Sequence, residues 1–472
     1  MSTKKQEDVG PAGSEQPSKS EKTGSFRNVL RNRAFVLIWL AQLISQIGFN
    51  AANYGLITIV TEVTGSTVMV GIAIVCFTLP AVPFSLLAGV YVDYLDKRTV
   101  MWVSNMLRAI ASLLIVVALL WNPHGVVFLF LFTFLISMVT QFFMPAEASA
   151  IPLLVGKKDL VPALSLFNIT LNIAQAIGFL LLGRLIESLF APFPLHLGSA
   201  SVTVTPHDML FVVIAIGYLL CTLLVLAIPR TKLQSVAHNG QNLPKSLGKE
   251  MWAIVQHDIK GTWEFVRKDR RLFISILQVS FVNILLLVIG ELAGPFVQQV
   301  LHLPVDNLTL IFAPAGFGLV LGGIVMPLLT RYLGKGFSIT VGSILTAMGL
   351  VMLPLSQVLT KQISFLHTWS FFIVGATAFV LGVALDMINI PAQTVMQERA
   401  PEEERARVFS FQFMLNNAGS IPVLLFAGLI ADTLGIATVM YGLGVAILLF
   451  LWWTSHYEHT TNRHKIHTDE AK

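Results

Sequence analysis

The sequence predicts an all-α membrane protein with twelve transmembrane helices, arranged as two pseudo-symmetric six-helix bundles. Three observations carry this prediction. The 472 residues are 55% hydrophobic and only 12% charged, whereas a soluble domain has about 25% charged residues. The apolar residues come in long, nearly uncharged blocks. These blocks also fall into two sets that resemble each other, so a soluble enzyme and a disordered chain are both excluded as leading interpretations.

The apolar blocks have the length of membrane-spanning helices. A helix needs about 20 mostly apolar residues to cross the hydrocarbon core of a bilayer. Twelve runs of about that length cover 35–60, 68–92, 100–121, 126–150, 163–190, 208–229, 272–300, 308–330, 337–359, 368–391, 408–432 and 435–454. Six precede and six follow the polar stretch 230–271. We therefore expect an N-terminal bundle over 25–229 and a C-terminal bundle over 272–454.

Three polar segments lie outside the bundles. Residues 1–24 have almost no apolar side chain and are predicted to be a disordered tail. The linker 230–271 contains apolar residues at near-helical spacing, which predicts an amphipathic helix on the membrane surface. They are Leu247, Met251, Val255, Ile259 and Val266. Residues 455–472 carry four histidines without a regular ligand spacing, so we favour a solvated tail over a metal site.

The basic residues sort to one side of the predicted membrane. With a cytoplasmic N-terminus, 28 of the 31 lysines and arginines fall in cytoplasmic segments, and the exceptions are Lys361, Arg108 and Arg184. This asymmetry follows the positive-inside rule and places both termini in the cytoplasm of a multi-pass protein of the inner (plasma) membrane. It also accounts for the pI of about 9.1 without a nucleic-acid partner.

Short matches recur between the two halves. Residues 33–35 before the first span match 271–273 before the seventh at an offset of 238, and Pro145 in the fourth span matches Pro391 in the tenth at an offset of 246. Near-constant offsets indicate a duplication. Duplicated halves around a midplane site are the architecture of many secondary transporters, in which the halves rock about the site.

The turn after the second span has a recognisable pattern. It reads GVYVDYLDKR from Gly89 to Arg98, and it resembles the motif between the second and third helices of the major facilitator superfamily, which normally has a second glycine where Asp96 stands. The glycine permits close packing, and Asp93 can accept charge-assisted hydrogen bonds or face a helix N-terminus. With Lys97, these residues form a candidate conformational latch. A charged turn that only sets topology is an equally good interpretation.

A longer resemblance covers most of the chain. The runs 142–168 and 390–422 resemble the branch of the same superfamily that contains macrolide-efflux proteins and enterobactin exporters. Arg108 in the third span also matches a position where that branch often has arginine. The resemblance implies a major facilitator fold of twelve helices and proton-coupled export of a small molecule.

Amides line up on single faces of some spans. In the first span they recur at steps of four, four and three, which places them on one helical face. A similar arrangement occurs in the fifth span, and a third in the eleventh. The residues that we predict to bind substrate are Gln42, Gln46, Asn50, Asn53, Asn172 and Gln175. Neutral amides suit an amphiphilic ligand, but hydrogen bonding between helices is an equally good interpretation.

Ionisable residues within spans are the candidates for energy coupling, because they are costly to bury and usually functional. Arg108 lies deepest, and Glu291 and Asp386 are intermediate. We expect Glu291, and less so Asp386, to exchange protons, since burial disfavours the charged form of a carboxylate. An interface acid is slightly preferred for Asp386. Four other ionisable residues fall near helix ends and are not candidates: Glu147, Arg184, Glu187 and Asp432.

The sequence thus predicts a monomeric secondary active transporter that exports a small amphiphilic molecule by proton antiport, without a cofactor or metal. Uptake by the same fold is the alternative, because loop charges say nothing about the direction of flux. A membrane-embedded enzyme is disfavoured because the chain has no His-Glu-x-x-His, no Gly-x-Ser-x-Gly and no paired midplane aspartates. Nothing in the sequence resembles the filter loop of a channel.

Overall fold

A computed structural model of the protein describes residues 26–155, 159–197, 200–233, 260–304, 308–362 and 364–469. Almost all of these residues are helical. In chain order the helices are α1 (Phe26–Arg31), α2 (Arg33–Thr64), α3 (Thr67–Thr78), α4 (Ala81–Tyr94), α5 (Lys97–Trp121), α6 (Val126–Leu154), α7 (Leu160–Ala176), α8 (Gly183–Leu189), α9 (Pro206–Leu226), α10 (260–268), α11 (Arg270–Pro295), α12 (Leu308–Leu333), α13 (Lys335–Gln362), α14 (Ser364–Arg399), α15 (Glu402–Leu434) and α16 (Ile436–Asp469).

Helix occupies nearly all of each predicted span. Within the described residues, ten helices are long and apolar enough to cross a membrane, and the apolar helical stretch Phe312–Met326 is shorter. The all-helical membrane fold is therefore confirmed, while the count of twelve spans stays a prediction.

Local sequence signals explain where several helices begin and end. The Asn32 side chain accepts from the N–H groups of Ala34 and Phe35 and so caps α2. Thr205 and Asp208 form a reciprocal capping box at the start of α9. Glycines with positive φ stop three helices: Gly65 after α2 (φ 62°), Gly334 after α12 (φ 82°) and Gly435 after α15 (φ 89°).

Two predicted spans are interrupted, and the seventh ends in a π-helical segment, Phe296–Val300. The second span consists of α3 and α4, which meet at Pro80, where the missing N–H breaks the ladder of helical hydrogen bonds. In the fifth span, a π-helical segment, Ile177–Leu182, separates α7 from α8. A π segment contains an extra residue per turn and rotates the faces that follow it. Pro80 in the second block was an available signal for the first interruption, whereas the apolar pattern gave no sign of the second.

A two-stranded antiparallel sheet lies between α8 and α9, on the predicted outer side. Its strands are β1 (Phe193–Leu197) and β2 (Ala200–Val204), paired from Phe193 with Val204 to Leu197 with Ala200. The sequence interpretation treated this stretch as a loop. Alternating apolar residues in β2 were the available signal.

The predicted tails and linker lie largely outside the described residues. The tail 1–24 and the linker residues 234–259, with Leu247, Met251, Val255 and Ile259, are among those not described. The end of the linker is helical as α10, where Val266 is fully buried and belongs to one apolar cluster with Leu272 of α11. At the other end of the chain, α16 continues past the predicted boundary at 454 to Asp469.

The buried apolar residues form three clusters. The largest, the shared core, combines side chains from both halves, including Ile57, Val70, Leu292 and Ala427. The two smaller clusters lie at the predicted cytoplasmic ends, and each belongs to one half. Phe35, Met101 and Ala150 are in the N-terminal cluster, and Leu272, Met396 and Val408 are in the C-terminal one. Thus the halves share a core towards the predicted outer side and have separate cores towards the predicted cytoplasmic side.

Candidate functional site

The two halves are joined by one carboxylate at their predicted outer ends. Asp432 lies near the C-terminal end of α15 and accepts three hydrogen bonds from the start of α3. Its Oδ1 accepts from the Thr67 N–H at 2.6 Å. Its Oδ2 accepts from the Ser66 hydroxyl at 2.5 Å and from the Val68 N–H at 3.1 Å. Because α3 belongs to the N-terminal half and α15 to the C-terminal half, these bonds cross the boundary between them.

A second carboxylate is buried at the same boundary. Glu291 of α11 has no exposed surface, and neither of its carboxylate oxygens has a hydrogen-bond partner among the described residues. Its Oε1 faces two glycines, Gly71 of α3 and Gly428 of α15, and a Cβ added to Gly428 would lie 2.7 Å from that oxygen. Glu291 also interacts electrostatically with Asp432. The acid is therefore wedged between helices of both halves.

We define the interbundle junction as the residues that make these contacts. They are Ser66, Thr67, Val68, Gly71, Glu291, Gly428 and Asp432. Two further contacts join the halves at the same end. Gln299 Nε2 donates to the Gly65 carbonyl at 3.0 Å, and a Cβ on Gly294 would lie 2.6 Å from Thr61 Oγ1.

Arg108 is buried within the N-terminal half, with 1% of its surface exposed. Its guanidinium carbon lies 4.3 Å from the Phe143 ring centroid and 5.1 Å from the Tyr218 ring centroid. Its Nη1 donates to Ser45 Oγ at 2.8 Å, whereas its Nε and Nη2 have no hydrogen-bond partner in the described part of the chain. Cation–π contacts of this kind stabilise a desolvated guanidinium by about 2 kcal/mol.

Glu147 is a residue that the sequence interpretation missed. It was assigned to a helix end because the fourth span was predicted to stop at 150, but α6 continues to Leu154. The side chain is 5% exposed and interacts electrostatically with Arg108. The signal that could have found it is its position in the helix that follows Arg108 and returns antiparallel to it, which places an acid and a base at comparable depth.

The amide side chains predicted on one face of α2 differ in burial and in hydrogen bonding. Gln42 is 3% exposed, and Gln42 Oε1 and Asn53 Oδ1 are buried without a partner among the residues described. Asn50 donates to the Gln46 carbonyl of its own helix at 2.8 Å. Gln175 of the fifth span is exposed, and nothing is described of the Asn172 side chain.

Asp386, the other candidate acid, lies apart from the junction. It is on α14 and packs against α12 within the C-terminal half. A Cβ on Gly322 would lie 2.9 Å from its Oδ2, so a glycine in α12 makes room for the carboxylate. This position matches that of an acid at an interface between two helices of one bundle.

The candidate latch is only partly described. Nothing is described of the side chains at Gly89 and Asp93, which lie in α4. Lys97 is buried at the start of α5, and Arg98 Nη2 donates to the Leu226 carbonyl at the end of α9. Arg98 therefore satisfies a carbonyl at a helix C-terminus within the N-terminal half.

A small cavity lies inside the C-terminal half between α11, α13, α14 and α16. Its polar lining comes from three residues, Gln278, Ser343 and Thr454, and its apolar lining includes Phe281 and Phe450. The two rings are stacked with centroids 4.7 Å apart. The cavity belongs to one half and does not reach the junction.

Known proteins with similar sequences and structures are membrane transporters. The sequence profile of the Major Facilitator Superfamily matches residues 38–422. The chain belongs to the major facilitator superfamily. Macrolide efflux protein A of Streptococcus pyogenes is 22% identical over 402 residues, which is 85% of this chain and 90% of that protein.

Two solved structures show the same major facilitator fold. The nucleoside transporter NupG superposes with a TM-score of 0.62 at 14% identity over 89% of this chain and 98% of its own. The peptide transporter POT in complex with sulfate gives 0.66 at 11% identity over 93% and 99%. Family membership confirms the resemblance read from the sequence, and it identifies the protein as a multi-pass membrane transporter.

Within the major facilitator fold, the structure separates the predicted site residues into groups. Glu291 lies at the boundary between the halves, and Arg108 lies inside the N-terminal half with the unpredicted Glu147. Asp432, which the sequence interpretation set aside as near a helix end, makes the hydrogen bonds that join the halves. Its partners are more than 360 residues away in sequence, so no local pattern could have revealed them.

Proposed function

We propose that this protein exports a small amphiphilic molecule across the cytoplasmic membrane by proton antiport and alternating access. Family membership establishes a transporter, and similarity to macrolide efflux protein A supports export of a drug-like compound. The observation that carries the proposal is the burial of Glu291, a carboxylate without a hydrogen-bond partner in the described structure, between helices of both halves.

The position of Glu291 links its charge to the arrangement of the halves. A buried carboxylate without a partner costs several kcal/mol in its charged form. The closed junction therefore favours the neutral acid. Separation of the halves at this end admits water, which solvates the charge and allows the proton to be exchanged. A proton that binds in one arrangement and leaves in the other is the requirement for coupling transport to a proton gradient.

Glu291 is the preferred coupling residue over Asp386, because Asp386 lies within one half and would not sense their separation. Arg108 takes a supporting role in this proposal. Arg108 interacts electrostatically with Glu147, which places a titratable acid and a fixed positive charge in the interior of the N-terminal half. Gly89, Asp93, Lys97 and Arg98 stay proposed as a latch on the cytoplasmic side.

The substrate class follows from the chemistry of the amide face. Gln42 and Asn53 each have a buried oxygen without a described partner, so they can accept hydrogen bonds from a ligand. Gln46, Asn50, Asn172 and Gln175 complete the proposed set. Neutral amides suit a ligand with hydroxyl and apolar groups and without a strong charge, such as a macrolide, a dye or a siderophore.

The proposed setting is the inner (plasma) membrane, with both termini in the cytoplasm and one chain as the functional unit. With this topology, the interbundle junction closes the outer side, and the separate cores of the two halves face the cytoplasm. Such an arrangement can accept a substrate from the inside, which is the first step of export.

Transport by purified protein in liposomes tests the proposal. A panel of macrolides, dyes and siderophores is offered under an imposed pH gradient, and flux is compared between the wild type and Glu291→Gln. We expect wild-type flux against the substrate gradient, driven by protons moving in the opposite direction. Glu291→Gln should keep substrate exchange without a pH gradient but lose acceleration by the gradient, since glutamine cannot release a proton.

Glu62→Gln is the matched control, because Glu62 is a partly exposed acid at the outer end of α2. It should retain coupling. Unchanged coupling in Glu291→Gln overturns the role of Glu291, and substrate that moves together with protons replaces export by uptake. No flux of any compound in the panel above protein-free liposomes overturns the proposed substrate class.

A further inference from the structure

We infer that Asp432 is a positioning residue of the transport cycle, whose carboxylate holds the outer ends of the two halves together and sets the balance between the closed and separated arrangements. The inference goes beyond the proposed function, because it applies equally to export and uptake and requires no particular substrate. Three features of the junction support it.

The first feature is that the backbone N–H groups at the start of α3 need hydrogen-bond acceptors from outside the helix. The first N–H groups of a helix have no partner within the helix and need acceptors from elsewhere. The Ser66 Oγ accepts from the Met69 N–H, at 3.3 Å. Asp432 supplies acceptors for the Thr67 and Val68 N–H groups from the opposite half. The carboxylate also lies where the helix dipole is positive.

The second feature is the close approach of α3 and α15. Gly428 and Asp432 are four residues apart and share a face of α15, and Thr67 and Gly71 share a face of α3 in the same way. A Cβ on Gly428 would lie 2.9 Å from the Val68 Cα and 3.1 Å from the Thr67 carbonyl oxygen. The glycine thus brings the helices near enough for the Asp432 carboxylate to reach backbone N–H groups.

The third feature is that all three bonds break when the halves separate. A helix cap that belongs to its own helix travels with that helix and is indifferent to the movement. Asp432 caps a helix of the other half, so its bonds exist only in the closed arrangement. Hydrogen bonds to a charged group stabilise more than those between neutral groups, so their loss shifts the balance by a factor of about ten or more.

Distance measurements between spin labels test the inference without substrate or a pH gradient. In a Cys76→Ser, Cys221→Ser background, labels are placed at Leu189 and Leu303, exposed residues at the outer ends of the two halves. We expect a dominant short distance in the otherwise unaltered protein. Asp432→Ala should raise the ratio of long to short distances about tenfold. Asp432→Asn, which keeps one acceptor oxygen but no charge, should fall between them.

Asp269→Ala is the matched control. Asp269 accepts from the Arg271 and Leu272 N–H groups and caps α11 on the predicted cytoplasmic side, within the C-terminal half. Its removal should leave the outer distance unchanged. The same distribution in Asp432→Ala and the wild type overturns the inference, and so does an equal shift in Asp269→Ala, which would indicate general loosening.

A milder variant keeps the test decisive if Asp432→Ala does not fold. Ser66→Ala removes one donor to Asp432 on the N-terminal side and leaves the carboxylate in place. It should raise the long-distance population by a smaller factor, and no change in both Ser66→Ala and Asp432→Asn contradicts the inference. Loss of proton coupling in Glu291→Gln has no bearing on these distances, so the two proposals fail independently.

Discussion

The guanidinium carbon of Arg108 lies 4.3 Å above the centre of the Phe143 ring. This contact joins the third predicted span to the fourth. It places a permanent positive charge inside the N-terminal half, where the Tyr218 ring covers it from a second direction and the buried Glu147 interacts with it electrostatically. The arrangement shows that Arg108 is held by aromatic faces and an electrostatic partner together, and each can be removed separately.

Replacement of both Arg108 and Glu147 should destabilise the protein by less than the sum of the two single replacements. The two buried groups interact electrostatically, and residues that interact are coupled, typically by about 0.5–3 kcal/mol. We expect Arg108→Met and Glu147→Gln each to lower the free energy of unfolding, and the double variant to lower it by less than the two losses added together. Unfolding of the purified wild type, the two single variants and the double variant in detergent measures this coupling.

Phe143→Leu is the control for these variants, because it removes the ring beneath Arg108 and leaves Arg108 and Glu147 in place. It should lower the free energy of unfolding less than Arg108→Met or Glu147→Gln does. Additive losses in the double variant would mean that Arg108 and Glu147 do not stabilise each other, and the pair would have no energetic basis.

Asn32 should contribute to stability through two separate bonds. Its Oδ1 caps α2, and its Nδ2 donates to the Leu154 carbonyl at the end of α6 at 2.6 Å. Asn32→Ala removes both and should cost about 1–2 kcal/mol. Asn32→Asp keeps the cap but loses the donor, so it should recover only part of that loss. Thermal unfolding in detergent ranks the three proteins.

Asn122→Ala is a suitable comparison for Asn32, since Asn122 accepts from the His124 N–H in an exposed turn. It should change stability little. Equal stability of Asn32→Asp and the wild type would show that the bond to Leu154 contributes nothing.

The length and spacing of the apolar blocks were sufficient to predict the helical membrane fold, because the thickness of a bilayer sets the length of a span. The ends of the spans were less predictable than their presence. The fourth span was expected to stop at 150, but apolar Ile151, Leu153 and Leu154 continue the helix, and this error of one turn concealed Glu147. A small boundary error thus changed which charged residues were considered buried.

The candidate site was predictable only where burial alone identifies a residue. Arg108 and Glu291 lie within apolar blocks and are buried as expected for such positions. Asp432 is also near the end of a block, but its hydrogen-bond partners are in the other half of the chain. Contacts between the halves depend on how the bundles meet, and neither periodicity nor composition reports that.

The ion pair between Lys335 and Glu398 should contribute little to the stability of the protein. Its atoms are 2.5 Å apart, but the two side chains are 34% and 60% exposed. Exposed pairs typically give less than about 1 kcal/mol, because water and salt screen the charges. Glu398→Gln should therefore leave the unfolding temperature nearly unchanged. A loss similar to that of Glu147→Gln would show that this pair is shielded from water in the membrane-embedded protein.

Gly428→Ala should push α3 and α15 apart at the interbundle junction. The added methyl group meets Glu291 Oε1 at 2.7 Å and two backbone atoms, the Val68 Cα at 2.9 Å and the Thr67 carbonyl oxygen at 3.1 Å. The Glu291 side chain can shift, but the backbone contacts are relieved only if the helices move apart. Overpacking costs about 1–3 kcal/mol, and this cost falls only on the closed arrangement. The ratio of separated to closed outer ends should rise roughly 5–150-fold, measured by the distance between labels at Leu189 and Leu303.

Gly442→Ala is the control for Gly428, because a methyl group at Gly442 in α16 has no neighbour within 4 Å in the described structure. It should leave the distances unchanged. Asp432→Ala should raise the long-distance population less in a Gly428→Ala background than in the wild type. In that background α3 and α15 are already apart, so the Asp432 hydrogen bonds to the start of α3 are already lost. Independent, additive shifts from the two variants would show that Gly428 does not position Asp432 and that the two residues act at separate contacts.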